Sequence, residues 1–471
     1  MAPSRDLSTI PSVDRLLSEP SVQRLAERVD LPVVTRWVRA SVAALRDALL
    51  GGDMQEADRD SHLRWTVAEL HRRSEEALAP RLQRVVNGTG IVLHTNLGRA
   101  PLPKAAIEQI CRVAGGYSSV EIDLETGRRG SRTALVEELL CELTGAEAAA
   151  VVNNNAAGVL LTLNTLALGK EAVVSRGQLV EIGGSFRIPD IMSRSGATMV
   201  EVGTTNRTHL GDYQNALTER SGLLLAVHPS NYKVMGFSSE VSLSDLVGLG
   251  RRHGVPVAHD LGGGVLVDLR EYGLPYEPLV SDSVRAAADI VCFSGDKVLG
   301  GPQAGVLVGR REAIEAIRQN PLMRSLRCGK LTYAALEATL KLYLNREKLA
   351  RAHPTLGMLT QSMSSLRRRG RSLLRRLEGL GGRDFEASLE ESVAQTGSGA
   401  LPLEEIPSVA LVLGCRGWSA GQLADRLRRN APPVLGYVRE DRLFLDLRTI
   451  RSDELSIVAD AIVAAAADPG T

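Results

Sequence analysis

The sequence is poor in cysteine and has no long apolar segment. Its five cysteines are scattered along 471 residues and form no CxxC pair and no Cys/His cluster. This pattern predicts isolated thiols and argues against a disulfide framework or a zinc site. The N-terminus has no apolar stretch of signal-peptide length, and no run approaches the ~20 apolar residues that a membrane helix needs. We therefore expect a cytoplasmic protein without a membrane segment or a metal.

The net charge is close to zero, and lysine is rare. The 56 basic residues face 55 acidic ones, which argues against a polycation that coats nucleic acid but permits a local basic groove. Hydrophobic residues make up 44% and charged residues 24%, as is typical of a soluble globular protein with a large core. Only seven of the basic residues are lysines. Any chemistry that requires a lysine amine therefore has seven candidates.

The chain is predicted to consist of three regions. Residues 1–86 carry apolar residues at three- and four-residue spacing, which predicts a helical module. With 13 arginines and 13 acidic residues, this module is interpreted first as a packing or dimerisation unit and second as an RNA-binding one. Residues 87–335 alternate apolar β-rich runs with helical stretches, which predicts a three-layer α/β domain around a mostly parallel, seven-stranded sheet. Residues 336–471 are predicted to form a small α+β domain.

The predicted elements have definite bounds. The helices of the first region are 15–29, 32–50 and 58–78. The seven strands of the second are 148–152, 171–175, 198–202, 222–227, 256–260, 290–294 and 306–309. A long helix over 331–348 leads to a helix over 362–377 with six arginines, which is typical of a solvated face and also compatible with phosphate contact. For the small domain the sequence predicts a strand over 408–413, a helix over 420–428, a hairpin over 434–447 and a helix over 452–466.

One of the seven lysines stands directly beyond a predicted core strand. Lys297 lies in a Ser-Gly-Asp-Lys turn that is followed by Gly-Gly-Pro. Desolvation in such a place lowers the pKa of an amine, and a neutral amine can form a Schiff base. Asp260 ends another predicted strand and precedes three glycines. A lysine for the aldehyde and a carboxylate for the ring nitrogen are what pyridoxal 5'-phosphate requires, although each residue alone is equally compatible with a structural role.

The phosphate of such a cofactor needs its own contacts. Asn153, Asn154 and Asn155 follow a predicted strand and precede helix-forming residues. They are candidates to cap a helix whose free N–H groups point at phosphate, and a plain N-cap is the alternative. Ser294 is a further candidate for phosphate contact. Three histidines flank the same segments, namely His209, His228 and His259. A structural role is the default for each, and His228 is the best functional candidate, as a residue that binds the cofactor.

Five segments of the chain resemble the bacterial L-seryl-tRNA(Sec) selenium transferases, also called selenocysteine synthases. The resemblance runs from about residue 10 to the C-terminus and is most specific in 86–102, 175–192, 201–213, 228–237 and 293–305. It implies the aspartate-aminotransferase type of fold, which is fold type I of the pyridoxal-phosphate enzymes. It also implies conversion of seryl-tRNA(Sec) to selenocysteinyl-tRNA(Sec) with selenophosphate as donor. A homodecamer built as a pentamer of dimers, with an N-terminal domain that binds tRNA, is implied as well.

The resemblance assigns roles to individual residues. It implies that Lys297 is the Schiff-base lysine and that Asp296 takes part in catalysis. It also implies a selenophosphate pocket lined by Arg99, Arg132, Arg324 and Arg327. Because the serine carboxylate is esterified to tRNA, arginines at this site should serve another anion, and forked guanidinium groups match a phosphate-like one. Arg324 and Arg327 would share a face if helical, and a surface ion pair is the alternative.

Two other functions remain open on the sequence. The first is a pyridoxal-phosphate ammonia-lyase or aldolase that acts on a free amino acid, which would not need the module 1–86. The second is a tRNA-binding protein without activity, and the intact pair of Lys297 and Asp260 weighs against it. In the favoured reaction Lys297 removes the Cα proton, the β-hydroxyl leaves as water, and selenium adds at Cβ.

Overall fold

The structure is a computed structural model that describes residues 7–52, 58–182, 186–232, 234, 236–378, 385–399 and 405–467. Parts of two of the family segments, 183–185, 233 and 235, lie outside the described residues, as do parts of the predicted first and third regions. The chain divides into two units, residues 1–84 and 85–471, and each is described by itself.

The first unit is helical, as predicted, but its first helix is split in two. The helices are α1 Val13–Leu17, α2 Pro20–Ala26, α3 Leu31–Gly51 and α4 Arg59–Leu78. Pro20 begins α2 because proline fits the first turn of a helix, where its missing N–H is not needed. Gly52, with φ +86°, ends α3 in the left-handed conformation that glycine adopts readily. The buried apolar side chains of this unit include Leu16, Val34 and Leu70.

The second unit contains all seven predicted strands of the α/β domain, within two residues at each end. Its strands are β1 Val86–Asn87, β2 Ala148–Val152, β3 Glu171–Ser175, β4 Glu181–Ile182, β5 Phe186–Arg187, β6 Thr198–Val202, β7 Ser221–Val227, β8 Val257–Gly262, β9 Ile290–Ser294, β10 Gly305–Gly309, β11 Phe385–Ala394, β12 Ile406–Cys415, β13 Val434–Leu435, β14 Tyr437–Arg439 and β15 Arg442–Asp446. The seven-stranded sheet has the order β2-β10-β9-β8-β7-β3-β6, and β10 runs antiparallel to both of its neighbours. The prediction of a mostly parallel sheet is confirmed.

Helices cover both faces of this sheet, and three further helices belong to the C-terminal part. Those around the large sheet are α5 Lys104–Ala114, α6 Ala134–Thr144, α7 Asn155–Ala167, α8 Ile188–Arg194, α9 Leu210–Ala216, α10 Leu243–His253, α11 Val280–Arg285, α12 Arg311–Gln319, α13 Leu322–Leu326, α14 Lys330–Leu342, α15 Arg346–Ala352 and α16 Pro354–Leu359. Helices α17 Met363–Leu377, α18 Ala420–Arg428 and α19 Leu455–Ala467 pack in the C-terminal core instead. Successive strand residues enter opposite cores: Val291 and Phe293 of β9 pack in one, and Ile290 and Cys292 pack in the other. This alternation explains the continuous apolar runs, because both strand faces are buried.

The C-terminal part forms a second, antiparallel sheet of order β11-β12-β15-β14. Strand β11 was not predicted, because its outward side chains are charged. The predicted long helix over 331–348 is wrong: α14 ends at Leu342, and Asn345 caps the separate α15 by accepting from the Lys348 N–H at 3.2 Å. The basic helix 362–377 is present as α17, but Arg369 is buried in it, and its guanidinium bonds Gln361 and the Ile450 carbonyl.

The carboxyl ends of the parallel strands meet at one edge of the large sheet. Residues that follow β2, β7, β8 and β9 lie together there, and open α/β sheets bind their ligands at this edge. In the described part of the chain, no helix combines the length and the apolar character needed to cross a membrane.

Candidate active site

Lys297 lies in a cavity of about 300 Å³ at this edge and is only 6% exposed. Burial lowers the pKa of its amine, and the negative charges of Asp260, Asp296 and Glu277 oppose that shift. Gly262, with φ +73°, keeps space open beside the amine, since a Cβ there would lie 3.7 Å from Lys297 Nζ. The amine is therefore accessible from the cavity and biased towards its neutral form.

Asp260 ends up beside Lys297, as the sequence predicted. It is 4% exposed, and its Oδ1 accepts a hydrogen bond from Asn155 Nδ2 at 2.8 Å. Burial raises the pKa of Asp260, while the Asn155 hydrogen bond and the Lys297 charge lower it. Among the described residues, Asp260 forms no ion pair, although the charge of Lys297 acts on it. A cationic ring nitrogen at this point would stabilise its ionised form.

The three asparagines have three different environments. Asn154 caps α7, because its side chain accepts from the Ala157 N–H at 2.9 Å. Asn155 is the first residue of α7, but its side chain turns to Asp260 instead of capping the helix. Asn153 is exposed and does not line the cavity, and its N–H donates to the Leu326 carbonyl at 2.9 Å. The start of α7 faces the cavity through Asn154, Asn155 and Ala156.

Ser294 and Arg99 also line the cavity. Arg99 has φ +61° and reaches Asp296, whose Oδ2 accepts from Arg99 Nη1 at 2.8 Å. Asp296 is 6% exposed, and the Ala100 N–H donates to its carbonyl oxygen at 3.3 Å. Nε of Arg99 is buried without a hydrogen-bond partner among the described residues. Arg99 therefore has a donor left for a ligand.

The other three arginines line a second cavity, of about 370 Å³, together with Glu121. Arg132 Nε donates to Glu121 Oε1 at 2.6 Å, and Arg327 Nη1 donates to the same oxygen at 3.2 Å. The Arg132 hydrogen bond is the main reason why the pKa of Glu121 is lowered. Arg324 lines this cavity as well. One chain therefore does not form a single pocket from all four arginines, although the cluster of three carries an excess of positive charge.

Arg324 and Arg327 do not share a helical face, because only Arg324 is helical. Helix α13 ends at Leu326, and Arg327 has the extended backbone angles φ −67° and ψ 146°. Arg327 forms a β-bridge with Val152 at the end of β2, which pulls it out of the helix. This bridge also ties the second cavity to the strand that carries the asparagines.

The three histidines also have different environments. His228 lines the cavity, and its N–H donates to the Asp260 carbonyl at 2.8 Å. His259 bonds Ser283 Oγ through Nδ1 at 2.9 Å, and burial lowers its pKa to about 3, so it has a structural role. His209 stands at the N-terminus of α9. Sequence reasoning missed Glu277, a buried carboxylate whose Oε1 lies 3.7 Å from His228 Nε2.

These residues fit pyridoxal phosphate on three observations. Among the described residues the buried Asp260 forms no ion pair, and Oδ1 of the neighbouring Asn155 is buried without a partner. The glycine at 262 leaves room beside the amine. In the described ranges no group of three or more His, Cys, Asp or Glu side chains could hold a metal ion. The fold and the lysine–aspartate pair together define the class of type I pyridoxal-phosphate enzymes.

Comparison with known proteins identifies the family within this class. The family model described as L-seryl-tRNA selenium transferase matches residues 85–451, and the model described as selenocysteine synthase N terminal matches residues 7–46. The chain belongs to the L-seryl-tRNA selenium transferase family, so it is a transferase by family. The resemblance recognised from the motifs is confirmed.

Individual relatives agree with this result. An L-seryl-tRNA(Sec) selenium transferase of Geobacter metallireducens is 49% identical over 455 residues, covering 96% of this chain and 98% of that protein. The protein of the same name from Carboxydothermus hydrogenoformans is 47% identical over 456 residues, with 97% of each chain covered. A solved D-glucosaminate-6-phosphate ammonia-lyase has a TM-score of 0.56 at 20% identity, covering 84% of this chain and 98% of that one. That likeness concerns the fold alone, and the predicted fold class is confirmed.

Proposed function

We propose that this chain converts L-seryl-tRNA(Sec) to L-selenocysteinyl-tRNA(Sec), with pyridoxal 5'-phosphate at Lys297 and selenophosphate as the selenium donor. The observation that carries the proposal is the buried lysine amine beside a buried aspartate in a member of this family. The scarcity of lysine adds to it, because only seven are present in the chain.

The residues that would hold the cofactor surround one cavity. Lys297 would bind its aldehyde and Asp260, fixed by Asn155, would face its ring nitrogen. In the first turn of α7 the N–H groups of Asn155 and Ala156 have no partner within the helix and would contact its phosphate, together with Ser294. Bound there, the cofactor would supply an electron sink for the charge that develops at the serine Cα.

The protein side chains would move the protons. Lys297 Nζ, kept towards its neutral form by burial, would accept the Cα proton and later return one. Asp296 would be positioned by Arg99, which donates to it at 2.8 Å, so that its negative charge lies close to the lysine amine. The apolar lining from Val159, Val180 and Ile188 would exclude water from the reacting carbon.

The arginines would bind the selenophosphate. Arg132 and Arg327 share one carboxylate, Glu121, so the cavity that they form with Arg324 retains positive charge for a phosphate-like anion. Arg99, with its free Nε, is the arginine that would contact the donor or the acceptor end from the Lys297 side. We propose the family's homodecamer, a pentamer of dimers, as the setting in which these two cavities act together.

The tRNA is the remaining partner. We propose that the helical first unit, residues 1–84, binds it, in line with the match of its residues 7–46 to the family's N-terminal model. The balanced charge of the chain does not oppose this role, because affinity for RNA follows local contacts with phosphates and shape. We place the reaction in the cytoplasm.

An ammonia-lyase or aldolase acting on a free amino acid has less support. The solved ammonia-lyase is 20% identical to this chain, and the likeness concerns the fold alone. A free amino acid also presents a carboxylate that needs a cationic clamp, whereas the ion pair of Arg99 with Asp296 leaves only the Arg99 Nε for a ligand in the Lys297 cavity. The tRNA substrate, whose carboxylate is esterified, needs no such clamp.

The test is Lys297→Ala, with the 91% exposed Lys104→Ala as control. We expect Lys297→Ala to lose the visible absorbance of bound cofactor and all conversion of Ser-tRNA(Sec) with selenophosphate, while Lys104→Ala keeps both. Retained conversion in Lys297→Ala would contradict the assignment. Turnover of free serine by the wild type, without conversion of Ser-tRNA(Sec), would favour the lyase alternative.

A further inference from the structure

The turn that carries Lys297 has a buried backbone carbonyl at its centre. The turn closes where the Gly300 N–H donates to the Lys297 carbonyl at 2.9 Å. Leu299 lies inside this turn and has no exposed surface. A buried carbonyl without a hydrogen bond costs stability, so the Leu299 oxygen needs donors from elsewhere in the fold.

Two side chains from outside the turn supply those donors. Tyr343 Oη lies 2.9 Å from the Leu299 carbonyl oxygen, and His353 Nε2 lies 2.8 Å from the same oxygen. Tyr343 follows α14, and His353 lies between α15 and α16. Their side chains are buried, with 5% and 1% of the residue exposed. The roles proposed so far use neither of them.

The hydrogen positions in this group follow from its contacts. His353 Nδ1 accepts from the Leu356 N–H at 3.1 Å and so caps α16, which means that Nδ1 carries no proton. Burial lowers the pKa of His353, which keeps the ring neutral with its single proton on Nε2. Burial also raises the pKa of the Tyr343 hydroxyl, which therefore stays protonated. Both groups are donors, and the two lone pairs of the Leu299 oxygen accept both.

His353 also restricts the turn by direct packing. Gly300 has φ +70°, and a Cβ built there would overlap the His353 ring. The Tyr343 ring meets the His353 ring edge-on, with 5.6 Å between the ring centroids. The tyrosine and the histidine therefore form one packed group against the backbone that follows Lys297.

Another contact ties the same turn to the segment that carries Asp260. The Val298 N–H donates to the Gly263 carbonyl at 3.2 Å. The backbone after Lys297 is thus held both by the Asp260 segment and by Tyr343 with His353. The lysine side chain is long and flexible, so its amine keeps a defined place only if its backbone does.

We infer that Tyr343 and His353 are positioning residues, which hold the Leu299 carbonyl so that Lys297 Nζ stays in place for the cofactor aldehyde. The inference rests on the part of the proposed function that puts pyridoxal 5'-phosphate at Lys297. The described residues that line the Lys297 cavity do not include Tyr343 or His353, so both act through the turn. A reacting group that is already held in place loses less freedom when the bond forms, which favours bond formation.

The test is a double-mutant cycle between Tyr343→Phe and Lys297→Ala in the full-length protein. Phe keeps the ring and removes only the hydroxyl. The dissociation constant of pyridoxal 5'-phosphate is measured by equilibrium dialysis for the wild type, both single variants and the double variant. We expect Tyr343→Phe to weaken binding by about three- to tenfold when Lys297 is present, as the loss of one hydrogen bond does. In the Lys297→Ala background the change should be less than about twofold.

Kinetics and two further variants complete the design. In Tyr343→Phe with cofactor bound, kcat for Ser-tRNA(Sec) should fall by a similar factor, with KM little changed. Tyr213→Phe removes another buried tyrosine hydroxyl, on α9, and should leave cofactor affinity and kcat as in the wild type. His353→Asn keeps an acceptor for the Leu356 N–H, because asparagine is a good N-cap, but its shorter side chain does not reach Leu299. It should show the same dependence on Lys297.

The outcomes separate a positioning role from a structural one. An equal loss of cofactor affinity with and without Lys297 would show that Tyr343 only stabilises the fold, and it would overturn the inference. Wild-type affinity in Tyr343→Phe would overturn it as well. If Tyr343→Phe does not fold, the cycle with His353→Asn decides by the same criteria. A wild type that binds the cofactor at Lys297 but does not convert Ser-tRNA(Sec) would instead refute the proposed selenium transfer and leave the inference standing.

Discussion

Asp260→Asn removes one charge from the centre of the site and changes little else. Asn has almost the same shape as Asp, and its amide can still pair with Asn155, which now bonds Asp260 Oδ1 at 2.8 Å. The substitution leaves Lys297 in place, so we expect the cofactor to bind and to keep its visible absorbance. What it removes is the negative charge that would hold the ring nitrogen protonated.

The size of the effect follows from burial. Asp260 is 4% exposed, and breaking a buried ion pair by removing one partner costs about 3–5 kcal/mol. If that energy is expressed in the transition state, the rate falls by about 10²–10⁴-fold, at 1.36 kcal/mol for each factor of ten. We therefore expect kcat to fall by at least about 10² with KM for Ser-tRNA(Sec) little changed.

The assay is single-turnover conversion of Ser-tRNA(Sec) with selenophosphate, with the visible spectrum recorded on the same sample. Asp460→Asn, an exposed aspartate on α19, serves as the matched control and should be indistinguishable from wild type. A rate within tenfold of wild type in Asp260→Asn, with cofactor bound, would refute the reasoning that the buried charge supports the chemistry.

Asp260→Asn lowers the rate of the loaded enzyme, but it should not lower the thermal stability of the cofactor-free protein. Burial raises the pKa of Asp260 above its usual value, so between the two values the folded state binds more protons than the unfolded state. Stability then falls as pH rises through that range. We expect cofactor-free Asp260→Asn to melt at or above the temperature of cofactor-free wild type at pH 7, with the difference vanishing below about pH 4.

Two further predictions concern stability. The pKa of His259 is lowered to about 3 by burial, so the unfolded state binds more protons between pH 6.5 and 3, and the wild type should lose at most about 5 kcal/mol of stability as pH falls through that window. His259→Asn, which keeps a partner for Ser283, should flatten the dependence of the melting temperature on pH, and an unchanged slope would contradict this. Asp446 is fully buried and accepts from Ser408 Oγ at 2.6 Å and from the Arg448 N–H at 2.9 Å. Asp446→Ala should therefore cost about 3–5 kcal/mol in urea unfolding, and a loss below 1 kcal/mol would show that this network does not hold the small sheet.

The sequence predicted the elements whose signal is local. The strands of the large sheet were predicted within two residues, because a strand buried on both faces is a continuous apolar run. Helices α3 and α4 were predicted from their apolar spacing, and Gly52 marks the end of α3. Strand β11 was missed because its exposed side chains hide the alternation, and the helix over 331–348 was overextended across the cap at Asn345.

At the candidate site, sequence alone singled out Lys297 and Asp260, and the family motifs singled out the arginines. Those choices came from rarity, from strand ends and from motif identity, all of which are local properties of the chain. Their roles in catalysis and binding stay proposals, to be decided by the variants described above.

Which side chains meet was decided only by the tertiary structure. Asn155 and Asp260 are 105 residues apart, and Arg99 and Asp296 are 197 apart, so no spacing rule links them. The β-bridge of Arg327 to Val152 placed three arginines in a separate cavity. Glu277 belongs to no motif, and only the tertiary structure shows that its carboxylate lies 3.7 Å from His228 Nε2. The physical reason is common to all four: sheet pairing and burial fix contacts between segments that the chain itself keeps far apart.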